Sequence, residues 1–170
     1  EKARQVLASW DGRVTGDSAG ALLFEELYVV LLKNLLEDEL GPELFKEYAG
    51  SSILAMGCIE NILADKNAES VDDVRTPGVR ETWTDVVQKS FREAAASLVA
   101  KFGQDPGRWR WDRVHRLVVK HPMASVRLLD WVFRLSRGPY PVGGSFHTVC
   151  PFYYLLSGEF DSDFGASQRH

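Results

Sequence analysis

The residues of this chain that could do chemistry are few, and their spacing decides most of what they can do. Gly165-Ala166-Ser167-Gln168-Arg169 invites comparison with the G-x-S-x-G turn that exposes a nucleophilic serine. Its last position is Arg169, whose bulk defeats the tight strand-to-helix turn, and no strand–turn–helix pattern surrounds it. A small hydrolase built on Ser167 with His147 or His170 also lacks a carboxylate at a diagnostic position. His115 and His121 cannot share a metal: on a helix this spacing separates their faces, and on a strand it separates them by about 20 Å. No H-E-x-x-H, C-x-x-C or EF-hand pattern is present. The acidic residues Glu37-Asp38-Glu39 and Glu159, Asp161 and Asp163 read as solvated faces. Gly143-Gly144 has no helix start after it to make a phosphate cradle, and reads as a backbone needing positive φ or close packing. Cys58 and Cys150 read as two buried thiols, with one disulfide as the alternative. The residues therefore assign no catalytic, cofactor-binding or metal position.

The elements that would hold such residues divide the chain in two. Residues 1–104 read as helices, and residues 105–170, richer in Pro, Gly and aromatics, as short strands and loops. The expected fold is mainly α with a few short strands in the C-terminal third, in one truncated domain. The first helix ends near Trp10-Asp11-Gly12. The second runs from about Ala19 to Leu36, with Ala21, Phe24, Tyr28, Leu31 and Leu35 at helical spacing. Its run Leu27 to Leu32 is apolar almost all round, which predicts burial on several sides. Gly41-Pro42 opens a further helix that stops at Gly50. Ser51 or Ser52 caps the next, with Ile53, Met56, Ile59 and Leu63 on one face. Trp83, Val87, Phe91, Ala94, Leu98 and Phe102 form the clearest stripe, on a helix from about Arg80 to Phe102 that Gly103 stops. Beyond Pro106, Arg116 to Lys120 suits a strand, Met123 to Ser136 a short helix, Pro139 to Gly144 turns, and Phe146 to Leu156 a strand.

Composition excludes several function classes. The 170 residues are 45% hydrophobic and 26% charged, with a net charge of −4 and both signs interleaved. Nucleic acid and anionic membrane surfaces each call for a basic patch, and none is present. No run approaches the roughly 18 apolar residues that span a bilayer. The chain opens on Glu1 in a helical pattern, without Met or signal peptide, and closes on Ser167-Gln168-Arg169-His170 without a stop signal. Both ends read as cut from something longer.

An ordered set of signals runs along the chain: Leu7-x-x-Trp10-Asp11-Gly12, Asp17-Ser18-Ala19-x-Ala21-Leu22, Leu98, Gly103, Trp109-Arg110-Trp111, His115, His121-Pro122, Gly143-Gly144, Thr148-Val149 and Gly165-x-Ser167-x-Arg169. This set, from Leu7 to Arg169, resembles the later part of the large subunit of the penicillin acylase (penicillin amidase) family, which are N-terminal nucleophile amidohydrolases. Two positions depart from the family's pattern: Asp112 stands where Gly is typical, and Ser145 where Asp is frequent.

The resemblance implies a piece of a larger αββα-type enzyme that cleaves a side-chain amide, such as that of a penicillin or an acyl-homoserine lactone. In that family a serine at the start of the large subunit attacks the carbonyl, with its own α-amine as base. The amine's ordinary pKa, near 7.7–8.0, suits the role. Nucleophile, oxyanion asparagine and calcium ligands all lie upstream of the part resembled here. The implied partners are the small subunit and the N-terminal part of the large subunit, together with a small-molecule amide. Calcium is implied for the parent enzyme and no cofactor for this segment; a bacterial periplasmic or secreted location follows from the same resemblance. The alternative reading is a free-standing helical interaction module without catalysis. Trp109 and Trp111, two apart as on a strand, are expected to serve structure by facing the helices together. The segment 146–156, deprived of a parent sheet, is expected either to self-associate or to fold back irregularly onto the helices.

Overall fold

In the computed structural model the described residues are 1–65, 69–150 and 152–162, without the side chains of residues 52–54, 56 and 63. Asp163, Gly165, Ser167, Arg169 and His170 lie outside them. Five helices and one two-stranded sheet order these residues: α1 (Lys2–Ala8), α2 (Ala19–Gly50), α3 (Ser52–Ala64), α4 (Trp83–Phe102), β1 (Arg116–Val119), α5 (Arg127–Phe133) and β2 (Arg137–Pro141).

Helix α2 is the axis. Ser18 caps it, its side chain accepting from Ala21 N at 3.0 Å. The separate helix expected from Gly41-Pro42 is observed: Gly41, at φ 74° and ψ 161°, is not helical, so the span Ala19–Gly50 is two helical stretches meeting at a kink, with Pro42 in the first turn of the second. Ala21, Tyr28, Leu31 and Leu35 are buried as their spacing predicts, and so are Leu22, Leu23 and Leu32.

Helix α4 lies against α2. A reciprocal capping box of Thr82 and Asp85 starts it, and Gly103, at φ 86°, ends it. The innermost line of α4 is Val86, Ser90, Ala94 and Leu98, four residues apart and all buried. The larger Trp83, Val87, Phe91 and Phe102 flank that line half-buried, so the stripe read from the sequence is centred one position off the true contact. Ile59 of α3 is buried as expected, whereas its expected partners Ile53, Met56 and Leu63 lie outside the described side chains.

β1 forms as predicted and pairs antiparallel with β2, in a register of Leu117 with Tyr140 and Val119 with Arg137. Its other side meets residue 162: Val118 N donates to Ser162 O and Ser162 N to Arg116 O, each at 2.8 Å. Of Pro139 to Gly144, read as turns, residues 139–141 are instead part of strand β2. The helix expected over 123–136 is a 3-10 turn at Pro122–Ser125 followed by α5.

Among the described residues of 146–156 the expected strand does not form. Thr148 holds a turn instead: Ser145 N donates to its hydroxyl at 3.0 Å, and the hydroxyl lies 2.9 Å from Cys150 O. Such local bonds compete with a ladder. The segment folds back onto α2, burying Phe146, Tyr154 and Leu156 while leaving Val149 99% exposed. The fold-back onto the helices, one of the two expected outcomes, is seen among the described residues.

Candidate functional site

Among the described residues, completely buried polar side chains gather where the loops after α4 meet α2. Glu25 is completely buried in α2, and the Tyr154 hydroxyl donates to its Oε2 at 2.5 Å. Ser145, also buried, faces the same carboxyl. Glu25 Oε1 is buried without a hydrogen-bond partner. Burial outweighs the bonds from Tyr154 and Ser145 and pushes the Glu25 carboxyl up to about 7. The same burial, with the carboxylate beside it, raises the Tyr154 phenol. A carboxylate at position 145, where the penicillin acylase pattern often has Asp, would put two acids together in this dry place; the Ser145 hydroxyl avoids that.

Around this pair stand stacked rings. Trp111 and His115 stack with centroids 4.6 Å apart at 16°, and Tyr154 meets Trp111 edge-on at 5.7 Å. His115 Nδ1 lies 2.6 Å from Phe160 O, a carbonyl, so Nδ1 carries the proton and donates. Its Nε2 is buried without a partner, and burial lowers the His115 pKa, which keeps the ring neutral. The other indoles are tied too: Trp111 Nε1 donates to Gly144 O at 2.9 Å and Trp109 Nε1 to Gly103 O at 3.0 Å. Both rings are buried, as a structural role requires, but from 3-10 turns at 106–108 and 111–113 and not from a strand.

The Gly143-Gly144 pair has both properties read for it. Gly144 sits at φ 80°, and a Cβ there would meet Cys150 O. A Cβ on Gly143 would stand 2.9 Å from Val14 O, and Gly144 N donates to that same oxygen at 2.7 Å. The loop before α2 is thus clamped from the far end of the chain. Asp112 strengthens the clamp: its backbone N donates to Gly16 O at 2.7 Å, and its side chain accepts two bonds from Arg110. Trp10 covers Gly20, where any Cβ would strike the indole.

The remaining sequence candidates are not brought together. His115 is buried and His121 exposed. His147 lies at the surface with its ring edge-on to Tyr28 at 4.9 Å. Asp161 pairs with Arg116 through two bonds of 2.9 and 2.8 Å. Asp38 turns inward to accept from Val74 N at 2.9 Å, while Glu39 is exposed. Cys58 and Cys150 are free thiols, and Cys150 is exposed, which corrects the expectation of two buried cysteines. Cys150 sits at the turn that Thr148 holds, where its backbone and not its side chain makes the contact. Among the described residues no group of three or more His, Cys, Asp or Glu could hold a metal ion.

Glu25 and Tyr154 belong to no sequence motif that marks a site. A signal existed: Glu25-Glu26 interrupts an otherwise apolar stretch of a helix predicted to be buried on several sides.

Among the described residues, the hydrogen bonds of this arrangement tie the loops after α4 to one another and to α2. The family model for penicillin amidase matches residues 1–170.

The chain belongs to the penicillin amidase family. It is similar to the acyl-homoserine lactone acylase QuiP of Pseudomonas putida strain KT2440, 27% identical over 99% of this chain and 21% of that protein. The QuiP acylase of Pseudomonas fluorescens strain Pf0-1 is 25% identical over 99% of this chain and 20% of its own length. That of Pseudomonas syringae pv. syringae strain B728a is 29% identical over 87% and 19%. The chain spans about a fifth of the length of the curated relatives it matches. Within this penicillin amidase segment the mainly helical class expected from the sequence is the one observed, and no helix among the described residues is long and apolar enough to cross a membrane.

Proposed function

We propose that this chain is a structural segment of an N-terminal nucleophile amide hydrolase, and that the whole enzyme cleaves the amide of an acyl-homoserine lactone. The observation that carries the substrate class is the similarity, along nearly the whole chain, to acylases named for that substrate. Penicillin-type side-chain amides are the second substrate class that the family allows. In the proposed reaction water is added across the amide: the C–N bond breaks, the acyl carbon takes the hydroxyl, and the lactone leaves as its free amine. The attacking serine and its α-amine belong to the part of the enzyme that precedes this segment in the family pattern.

The role proposed for these residues is to wall and brace that catalytic part. Their polar atoms are turned to internal use: Tyr154 to Glu25, Trp111 to Gly144, His115 to Phe160. Calcium belongs to the parent enzyme in this reading, with no ligand assigned here, and export to the bacterial periplasm or beyond is part of the same proposal.

The test is hydrolysis of an N-acyl-homoserine lactone, followed by mass spectrometry of the released fatty acid and homoserine lactone. The complete enzyme is expected to release both, and the 170-residue chain neither. Release by the 170 residues at a rate abolished by Ser167→Ala would overturn the structural role.

A further inference from the structure

Among the described residues, exposed large hydrophobic side chains cluster most closely on α5 and the turn before it. No residue of Arg127–Phe133 is buried. Leu128 is 66% exposed, Trp131 77% and Phe133 65%, with Val132 beside them at 52%. Leu128, Trp131 and Val132 are three and four positions apart and share one face. Met123 and Val126, both more than half exposed, extend the patch into the preceding turn. An exposed patch of this density marks an interaction surface, and a protruding tryptophan is a typical anchor.

This helix is held ready. Asp130 accepts from Ser136 N at 2.6 Å and from the Ser136 hydroxyl at 2.9 Å, tying the end of α5 to the start of β2. Arg134 turns the chain sharply in the left-handed region at φ 49°. Beside Trp131 and Val132 an open cleft of about 690 Å³ continues to Arg137 and Gly138. Arg127, Arg134 and Arg137 are exposed around the patch and have no ion-pair partner among the described residues.

We infer that the α5 face, centred on Trp131, is where the rest of the acylase polypeptide packs onto this segment. The inference rests on the proposed function only in taking this chain as part of a larger acylase. The relatives supply about four fifths of their length beyond the part matched, enough to form such a partner body. The surface expected to meet Trp131 is apolar at its centre and acidic at its rim, to match the three arginines. A second copy fits worse: in a two-fold contact the same patch meets itself, setting arginines against arginines. Strand addition at the exposed β2 fits worse too, because Pro139 and Pro141 have no N–H to donate.

Hydroxyl-radical footprinting of the complete acylase polypeptide tests this, with each residue's labelling compared to the same polypeptide unfolded. Trp131 and Phe133 are expected to be labelled at least tenfold more slowly in the folded protein. Val79 and Leu44, exposed elsewhere, serve as references that stay near the unfolded rate. Labelling of Trp131 at more than half the unfolded rate would overturn the inference. Protection that disappears on dilution would also overturn it, by showing a second copy as the occupant. The footprint is read without any hydrolysis assay. A folded polypeptide that protects Trp131 yet leaves the lactone intact therefore fails the function and keeps the docking face.

Discussion

Against α4, helix α2 is held by small and aliphatic side chains with polar links at the edge; against the loops after residue 103 it is held by aromatic rings around one buried carboxyl. The adjacent Glu25 and Glu26 show the difference. Glu26 accepts from the Ser97 hydroxyl at 2.5 Å and from Lys101 at 3.0 Å, and so keeps a counter-charge. Glu25, about 100° round the helix, has hydroxyls alone and no cation. One face of α2 buries a charge that is compensated. The other buries an acid whose affinity for its proton is raised. The lesson is that burial of a carboxyl says little until its partner is named.

The comparison breaks most completely at Trp111. Replacing it by Ala empties the centre of the ring cluster and frees Gly144 O, and should cost about 3–5 kcal/mol. Urea unfolding measures the loss; an unchanged midpoint together with altered ligand binding would make the ring a binding surface.

Glu25→Gln sharpens the contrast through pH. The folded Glu25 carboxyl sits near 7, above its ordinary 4.5. Its full contribution is therefore present below about pH 4.5 and is lost as pH rises to 7, by roughly 3 kcal/mol. The glutamine variant should lose that part of the pH dependence and be the more stable protein at pH 8. Parallel stability curves for the two proteins across pH 4–8 would show that Glu25 does not titrate in this way.

Gly144→Ala should come next, costing about 1–3 kcal/mol from backbone strain alone, before the contact with Cys150 O is relieved. Thermal unfolding is the measurement, with Gly57→Ala, in open helical space, as the control, expected to gain about 0.5–1 kcal/mol. Lys101→Ala, on the compensated face, should cost only about 0.5 kcal/mol, since the ammonium is half exposed and screened by water. A loss as large as that of Trp111→Ala would mean that the two faces are not held differently after all.

The helical face was largely legible in the sequence because its forces are local and periodic. The stripe through Trp83 and Leu98 recurs every three or four residues and Gly103 stops it, while the start, expected near Arg80, lies at the Thr82 cap. The loop face was not, because its bonds join distant positions: Tyr154 and Glu25 are 129 residues apart, and Trp111 and Gly144 are 33. Phe146 to Leu156 carries strand-forming residues, yet its rings gain more from covering α2, and Thr148 satisfies the backbone in a turn. Pro139 and Pro141 disguised β2, since an edge strand tolerates prolines that a central one cannot. The Gly143-Gly144 pair was read correctly because close packing and positive φ leave a signature in residue type alone.

The clamp that Gly144 places on Val14 also sets an order of events. A ribosome releases the loop before α2 long before it makes its fastener, and the α2–α4 pair can assemble while that loop is still free. Contacts this distant in sequence close slowly. Glu25 therefore spends the interval as an ordinary wet carboxylate, and its affinity for a proton rises only when Ser145 and Tyr154 close over it and shut the water out.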